Sequence, residues 1–262
     1  MCAISGIAGW GDEFRAAMKR DPDAAKKMTA ALKRRGPDGD GAYRSENVLL
    51  VHTRLAIIDP DGGAQPMIYR EGGRELALVY NGELYNTAEI RQELISLGYR
   101  FRTGSDTEAV LLAYAEWGGE CVSRFNGIFA FAVWDSARRE LFMARDRIGV
   151  KPLFYTLKGG VLYFASEIKG LLCCDGVDAE LDADGVREVM LIGPARTCGC
   201  GVLRGICDLK PAECAVFDEN GLHKRTYWDY GESEREPFGE SFEETLEQVR
   251  RLVTDSITRQ TV

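Results

Sequence analysis

Apolar and small residues alternate along ISGIAGW (residues 4–10), which predicts a buried strand near the start of the chain. The next patterned stretch, DPDAAKKMTAALKRRG (residues 21–36), has helical periodicity instead. Ala25, Met28 and Leu32 share one face, leaving the lysines and arginines of KKMTAALKRR to water. Asp21 is the expected N-cap, Pro22 suits the first turn and Gly36 can stop the helix. Short strands bounded by Gly, Pro and Asp turns are predicted around 48–51, 55–58, 76–80, 127–134, 140–144, 152–156 and 161–165. TAEIRQELISLG and DTEAVLLAYAEWG interrupt them as helices, and a shorter helix begins after Ser166. Adjacent strands with helices in separate groups indicate an α+β fold with antiparallel sheets rather than a βαβ repeat.

The pattern changes after Trp228. DYGESEREPFGES (residues 229–241) is acidic and turn-rich, as an exposed linker would be. Phe242, Leu246, Val249, Val253 and Ile257 then recur at helical spacing up to the end of the chain at Val262. Nothing obvious in the sequence covers that apolar face, so 242–262 reads as the beginning of a further domain.

With 262 residues, the chain suits one large domain or one domain plus a piece of another. Its net charge of −8 disfavours binding to phosphate backbones, so no nucleic-acid partner is expected. No segment approaches the roughly 20 apolar residues of a membrane helix, and no secretory signal is visible; a cytoplasmic protein without a membrane partner is expected. The eight cysteines suit free thiols in a reducing compartment. Cys198, Cys200, Cys207 and Cys214 could offer four thiolates to zinc, but their spacing matches no paired C-x-x-C pattern, so no metal site is expected.

Candidate chemistry begins at position 2. Removing Met1 would leave Cys2 with a thiol and a free amine on neighbouring atoms, a nucleophile and a base in one residue. Only His52 and His223 could serve a Cys–His or Ser–His–Asp arrangement, and neither sits near a nucleophile turn. No phosphate loop of the G-x-x-x-x-G-K-[ST] type and no H-E-x-x-H is present. The unusual polar segments are RRGPDGDG, HTRLAIIDP, GAQPM, YNGELYN, TGSDTE and ARDRIGVKPLFY. Singly, each has a plain reading: RGPDG a turn, Asn81-Gly82 a hairpin tip, Arg54 a surface arginine, Asp106 an N-cap for a helix starting at Thr107.

Together and in order, these segments closely resemble the glutaminase domain of glutamine-hydrolysing asparagine synthetases, the class II, N-terminal-nucleophile type of glutamine amidotransferase. The resemblance runs from Cys2 to about Trp228 and includes GIFAFAVWD and FASEIKGLL. The tail EETLEQVRRLVTDSITRQ resembles the helix that opens the family's ATP-dependent synthetase domain; the S-G-G-x-D-S loop that follows in the family lies outside this chain. The resemblance implies a four-layer αββα sandwich of two antiparallel sheets, with residues 2–228 as the glutaminase domain. The implied reaction is hydrolysis of L-glutamine to glutamate and ammonia through a Cys2 thioester, with ammonia supplied to the synthetase domain. No cofactor is implied for the glutaminase part; ATP and magnesium belong to the synthetase part, and a homodimer is left open.

The implied roles carry over by position. Asn81 and Gly82 match the oxyanion hole, through a side-chain amide and a backbone N–H. Arg54 matches the clamp on the substrate α-carboxylate, and Asp106, with Glu83 nearby, matches the recognition of the α-ammonium. Leu55, Ile57 and Ile58 line the same pocket through backbone groups. One position departs from the family's M-C-G start: here Ala3 stands in place of glycine. If that residue needed a positive φ, alanine would cost about 1 kcal/mol and shift Cys2. A retained Met1 would acylate the Cys2 nitrogen and remove the base, but small second residues usually permit its removal. Two alternatives stand beside this reading: the glutaminase half of a different amide-forming ligase, and a catalytically degenerate glutamine-binding module.

Overall fold

Alternation along the strands sorts the side chains into three apolar layers. The structure is a computed structural model and describes residues 1–56, 59, 62–193, 196–232, 239 and 241–261. Its strands are β1 (Ala3–Ala8), β2 (Gly39–Arg44), β3 (Val48–Arg54), β4 (Met67–Glu71), β5 (Arg74–Leu84) and β6 (Gly127–Asp135), followed by β7 (Glu140–Arg145), β8 (Phe154–Lys158), β9 (Val161–Ala165), β10 (Ile206–Asp208), β11 (Glu213–Asp218) and β12 (Gly221–Thr226). The helices are α1 (Gly11–Arg20), α2 (Ala24–Leu32), α3 (Thr87–Ser96), α4 (Asp106–Trp117), α5 (Cys121–Arg124), α6 (Ile168–Leu172), α7 (Ala183–Arg187) and α8 (Phe242–Gln260). The strands form two six-stranded sheets, in the orders β10-β8-β9-β1-β3-β2 and β12-β11-β7-β6-β5-β4, and neighbouring strands pair antiparallel.

Ile4, Ala8, Val48 and Leu50 of the first sheet meet Ala77, Val79, Ala132 and Met143 of the second. One residue on, Ile7, Leu49 and Val51 point the other way, onto Phe14 of α1 and Met28 of α2. Leu76, Leu78 and Tyr80 likewise turn outward from the second sheet, against Ile90 and Leu94 of α3 and Val110 and Tyr114 of α4. Helix, sheet, sheet, helix is therefore the layer order, the αββα sandwich that the resemblance implied. The period-2 geometry of strands forces this division of each strand between two cores.

Several local expectations are corrected. α2 starts at Ala24 with Asp23 as its N-cap, and Asp21 instead closes α1 as its C-cap; its buried carboxylate accepts from the Asp175 N–H (3.1 Å) and pairs with Lys27 (2.9 Å). Gly36 lies beyond the helix end, and a Cβ there would stand 2.2 Å from the Thr53 backbone, so close approach to β3 explains the glycine. Not all of the basic run is solvated: Arg35 turns inward. The strand expected over 55–58 is absent at Leu55 and Ala56, while 57 and 58 lie outside the described residues. Asn81-Gly82 is not a hairpin tip but part of β5, opposite Ala130 and Phe129. Asp106 is the first residue of α4, and the cap is Ser105, whose hydroxyl accepts from the Thr107 N–H. Among the described residues, no helix is long and apolar enough to cross a membrane.

Candidate active site

β1 and β3 pair with Ala3 opposite Thr53, which sets Cys2 beside Arg54 and Leu55 at one end of the inter-sheet gap. The Cys2 Sγ lies 3.4 Å from the Leu55 amide nitrogen, which donates to it, and 3.6 Å from the Leu55 carbonyl oxygen. Arg35 holds the other side: its Nε donates to the Cys2 carbonyl (3.1 Å) and its Nη1 to Glu167 (3.2 Å). Ala3 is a buried strand residue without a positive φ, so it carries none of the strain that a lost glycine would bring.

Opposite the thiol runs the last third of β5. Ala77 and Val79 face the gap between the sheets, and by the same alternation so do Asn81 and Glu83. Asn81 is 1% exposed, and among the described residues its Nδ2 finds no acceptor. A buried amide donor left unpaired costs about 1–3 kcal/mol, so its persistence calls for an explanation. The strand edge beside it is equally pointed. β4 runs out at Met67, opposite Leu78. Beyond that point Tyr80 N–H donates to the Gln65 side-chain oxygen (2.6 Å) and Leu84 N–H to Asp106 Oδ2 (3.2 Å). Gly82 lies between them on the same edge, so its N–H is turned toward the cavity. A Cβ at Gly82 would come within 2.5 Å of the Ile128 carbonyl oxygen, which leaves room for glycine alone.

One cavity joins these groups: Cys2, Arg54, Leu55, Asn81, Gly82, Glu83 and Asp106 all line it, together with Met1, Gln65 and Lys151. Arg54 is anchored by donating Nη2 to the Asp59 carbonyl (2.6 Å). Asp106 Oδ2 also accepts from the Tyr80 hydroxyl (3.0 Å). Burial pushes the Asp106 carboxyl up, against the hydrogen bonds that hold it down. His52 is buried between the sheets, and desolvation pushes it down to about 4. It is neutral at physiological pH, and among the described residues the thiol's hydrogen bonds run to Leu55 and not to a histidine. Ile57 and Ile58, also expected in the pocket, lie outside the described residues.

The family model for the glutamine amidotransferase domain matches residues 1–228. The chain belongs to that family. "Asparagine synthetase [glutamine-hydrolyzing] 3" of Bacillus subtilis (strain 168) is 44% identical over 259 residues, 99% of this chain and 42% of the relative. "Asparagine synthetase B [glutamine-hydrolyzing]" of Escherichia coli (strain K12) is 38% identical over 173 residues, 66% of this chain and 30% of the relative. The chain thus spans less than half the length of these relatives. Among solved structures, the glutamine phosphoribosylpyrophosphate amidotransferase from B. subtilis, complexed with ADP and GMP, covers 87% of this chain at a TM-score of 0.61. That chain is matched over 49% of its length, and the identity of 19% speaks to the fold alone.

Arg35, Gln65 and Lys151 of this glutamine amidotransferase domain join the site without a sequence signal that assigns them to it. Arg35 was hidden in a run of basic residues, and only the tertiary fold shows that it reaches Cys2, 33 positions away. Gln65 carried a weak signal in GAQPM, and its role in completing the β5 edge depends on where β4 ends. Lys151 belongs to ARDRIGVKPLFY, a segment conspicuous in sequence but without an assigned role. Among the described residues, no group of three or more His, Cys, Asp and Glu side chains could hold a metal ion.

Proposed function

We propose that the chain, once Met1 is removed, hydrolyses glutamine at its side-chain amide. The observation that carries this reading is the buried, unpaired Asn81 Nδ2 in the same cavity as the thiol of the chain's second residue. An unpaired donor suits a site built for an oxygen that becomes negative only during reaction. The Cys2 α-amine takes the thiol proton, and the sulfur adds to the amide carbon. Asn81 Nδ2 and Gly82 N–H receive the developing oxyanion. The amine then returns the proton to the departing ammonia, leaving a glutamyl thioester that water opens to glutamate and free thiol. An α-amine titrates near 8 and is partly unprotonated at neutral pH, whereas a lysine near 10.4 would be a poor base. Arg54 is proposed to fork the α-carboxylate, and Asp106 and Glu83 to receive the α-ammonium.

The names of the relatives support a second step. Ammonia released here would serve an ATP-dependent asparagine-forming portion of a longer protein, with 229–241 as linker and 242–262 as that portion's opening helix. α8 has a capping box at Ser241 and Glu244 and exposes Phe242, Leu246, Val249, Val253 and Ile257, as a helix awaiting a partner would. Most of the proposed linker lies outside the described residues. ATP and magnesium would serve that portion only, so a chelator should leave ammonia release from glutamine unchanged.

The proposal is tested by Asn81→Ala in protein shown by mass to begin at Cys2. Loss of a donor that acts in the transition state should lower kcat by about 10²–10³-fold with a much smaller change in KM. An unchanged kcat with a raised KM would assign Asn81 to substrate binding instead.

A further inference from the structure

Lys151 is almost fully buried, 5% exposed, yet among the described residues no carboxylate lies within ion-pairing distance of its Nζ. Its Nζ donates instead to the thioether of Met1, at 3.6 Å. A buried ammonium facing sulfur rather than an acid is costly, and a side chain that merely filled space would not need the charge.

The surrounding loop is built to hold that arrangement. Asp146 accepts four backbone N–H groups: Phe129 (3.2 Å), Ile148 (3.1 Å), Val150 (3.0 Å) and Lys151 itself (3.0 Å). Arg145 Nε donates to the Lys151 carbonyl (2.8 Å), and its Nη1 is paired with Asp208 (2.7 Å). Lys151 is thus clamped through both its backbone groups while its side chain enters the Cys2 cavity.

We propose that Lys151 is a positioning residue acting through Cys2: its ammonium disfavours protonation of the α-amine that Met1 removal creates. The inference rests on the glutaminase reading above. Met1 is bonded to the Cys2 nitrogen, and its side chain, Cys2 and Lys151 line one cavity, so removal of Met1 leaves the new amine and the Lys151 ammonium facing the same space. Other charges also surround Cys2. Arg35, also 3.9 Å from the Met1 sulfur, is paired with Glu167. Arg54 of β3 binds the Asp59 carbonyl, and Glu83 and Asp106 line the cavity from β5 and α4, Asp106 held by Tyr80 and Leu84. These two carboxylates would favour a protonated amine, and Lys151 opposes them. A like charge in the same cavity makes the protonated amine less favourable and so keeps the base available near neutral pH.

The test compares processed wild type with Lys151→Met, Lys151→Gln and Lys151→Arg. Removing the positive neighbour lets the amine hold its proton to higher pH. The acid limb of kcat/KM against pH should therefore move up by roughly one unit in the Met and Gln variants. Activity at pH about 6.5 should fall roughly tenfold and converge with wild type in alkaline solution, where the amine is free in every variant. Arg should restore the wild-type limb. The amine is also read directly, by the pH dependence of its acylation with trace acetic anhydride in a Cys2→Ala background, where no thiol competes. Folded Met and Gln variants that lose activity equally at every pH, or whose amine acylates with the wild-type pH dependence, would overturn the proposal. Processed wild type that releases no ammonia would overturn the glutaminase reading instead, and the acylation arm would still decide the role of Lys151.

Discussion

Gln65 pairs with both backbone groups of Tyr80: its side-chain oxygen accepts from the Tyr80 N–H at 2.6 Å, and its Nε2 donates to the Tyr80 carbonyl at 3.1 Å. One side chain thereby continues the sheet where β4 has ended, and its Nε2 also reaches Thr107 Oγ1 at 3.3 Å. The contact ties the loop beyond Arg54 to the strand that carries Asn81 and Gly82, and to the start of α4.

Gln65→Ala should therefore act on stability and catalysis together. Two buried backbone groups of Tyr80 lose their partners, at about 1–3 kcal/mol. In a chain of this size that lowers Tm by roughly 3–10 °C in a thermal melt. kcat/KM for glutamine should fall as well, because the Gly82 edge and the Arg54 loop lose a common support. A variant with wild-type Tm and activity would show that water replaces the side chain without loss.

Substrate recognition makes a sharper demand on Arg54. Arg54→Ala should lower kcat/KM by roughly 30-fold or more, since removing one partner of a desolvated charged contact costs about 2–5 kcal/mol. Arg54→Lys should rescue only partly, because a point charge does not reproduce a two-pronged contact. The decisive comparison uses glutamine and its α-carboxamide. Wild type should strongly prefer glutamine, and Arg54→Ala should lose most of that preference. Undiminished discrimination by the variant would return Arg54 to a structural role, through its bond to the Asp59 carbonyl.

Asp106 opposes stability to function. Its carboxyl is pushed up by burial, so the folded state binds the proton more tightly than the unfolded chain does. The protonated form therefore supports the fold at low pH, and that support is lost as pH rises through the raised folded value. Asp106→Asn removes the cost of the buried charge. Its Tm should exceed that of wild type at neutral pH, with the gain vanishing as pH drops below the unfolded carboxyl value of about 3.9. Glutamine turnover should fall by roughly 30-fold or more, the ammonium having lost its partner. A Tm below that of wild type at pH 7 would mean that the bonds to Tyr80 and Leu84 outweigh desolvation.

What the sequence disclosed was local. The strand over ISGIAGW and the helix over TAEIRQELISLG (87–98) are legible in the sequence, and they are found as β1 (Ala3–Ala8) and α3 (Thr87–Ser96). β2 and β12 escaped because their residues are mostly half-exposed or exposed and lack a buried alternation; they exist through pairing with β3 and β11. Asn-Gly carries a strong local turn preference, yet β6 pairs with β5 straight through Asn81 and Gly82. Cys2, Asn81, Arg54 and Asp106 were brought together by family resemblance, and the fold sets all four around one cavity. Arg35 and Gln65 were not recoverable, because each acts through contacts that arise only when distant strands meet.

The central claim is that the Cys2 sulfur becomes acylated by glutamine. Processed protein mixed with glutamine and quenched in acid within a turnover should carry a glutamyl group on the peptide that begins at Cys2, read by mass spectrometry. The adduct and ammonia release should both be absent from Cys2→Ala and from protein that retains Met1. Steady ammonia release by either of those two proteins would contradict the account.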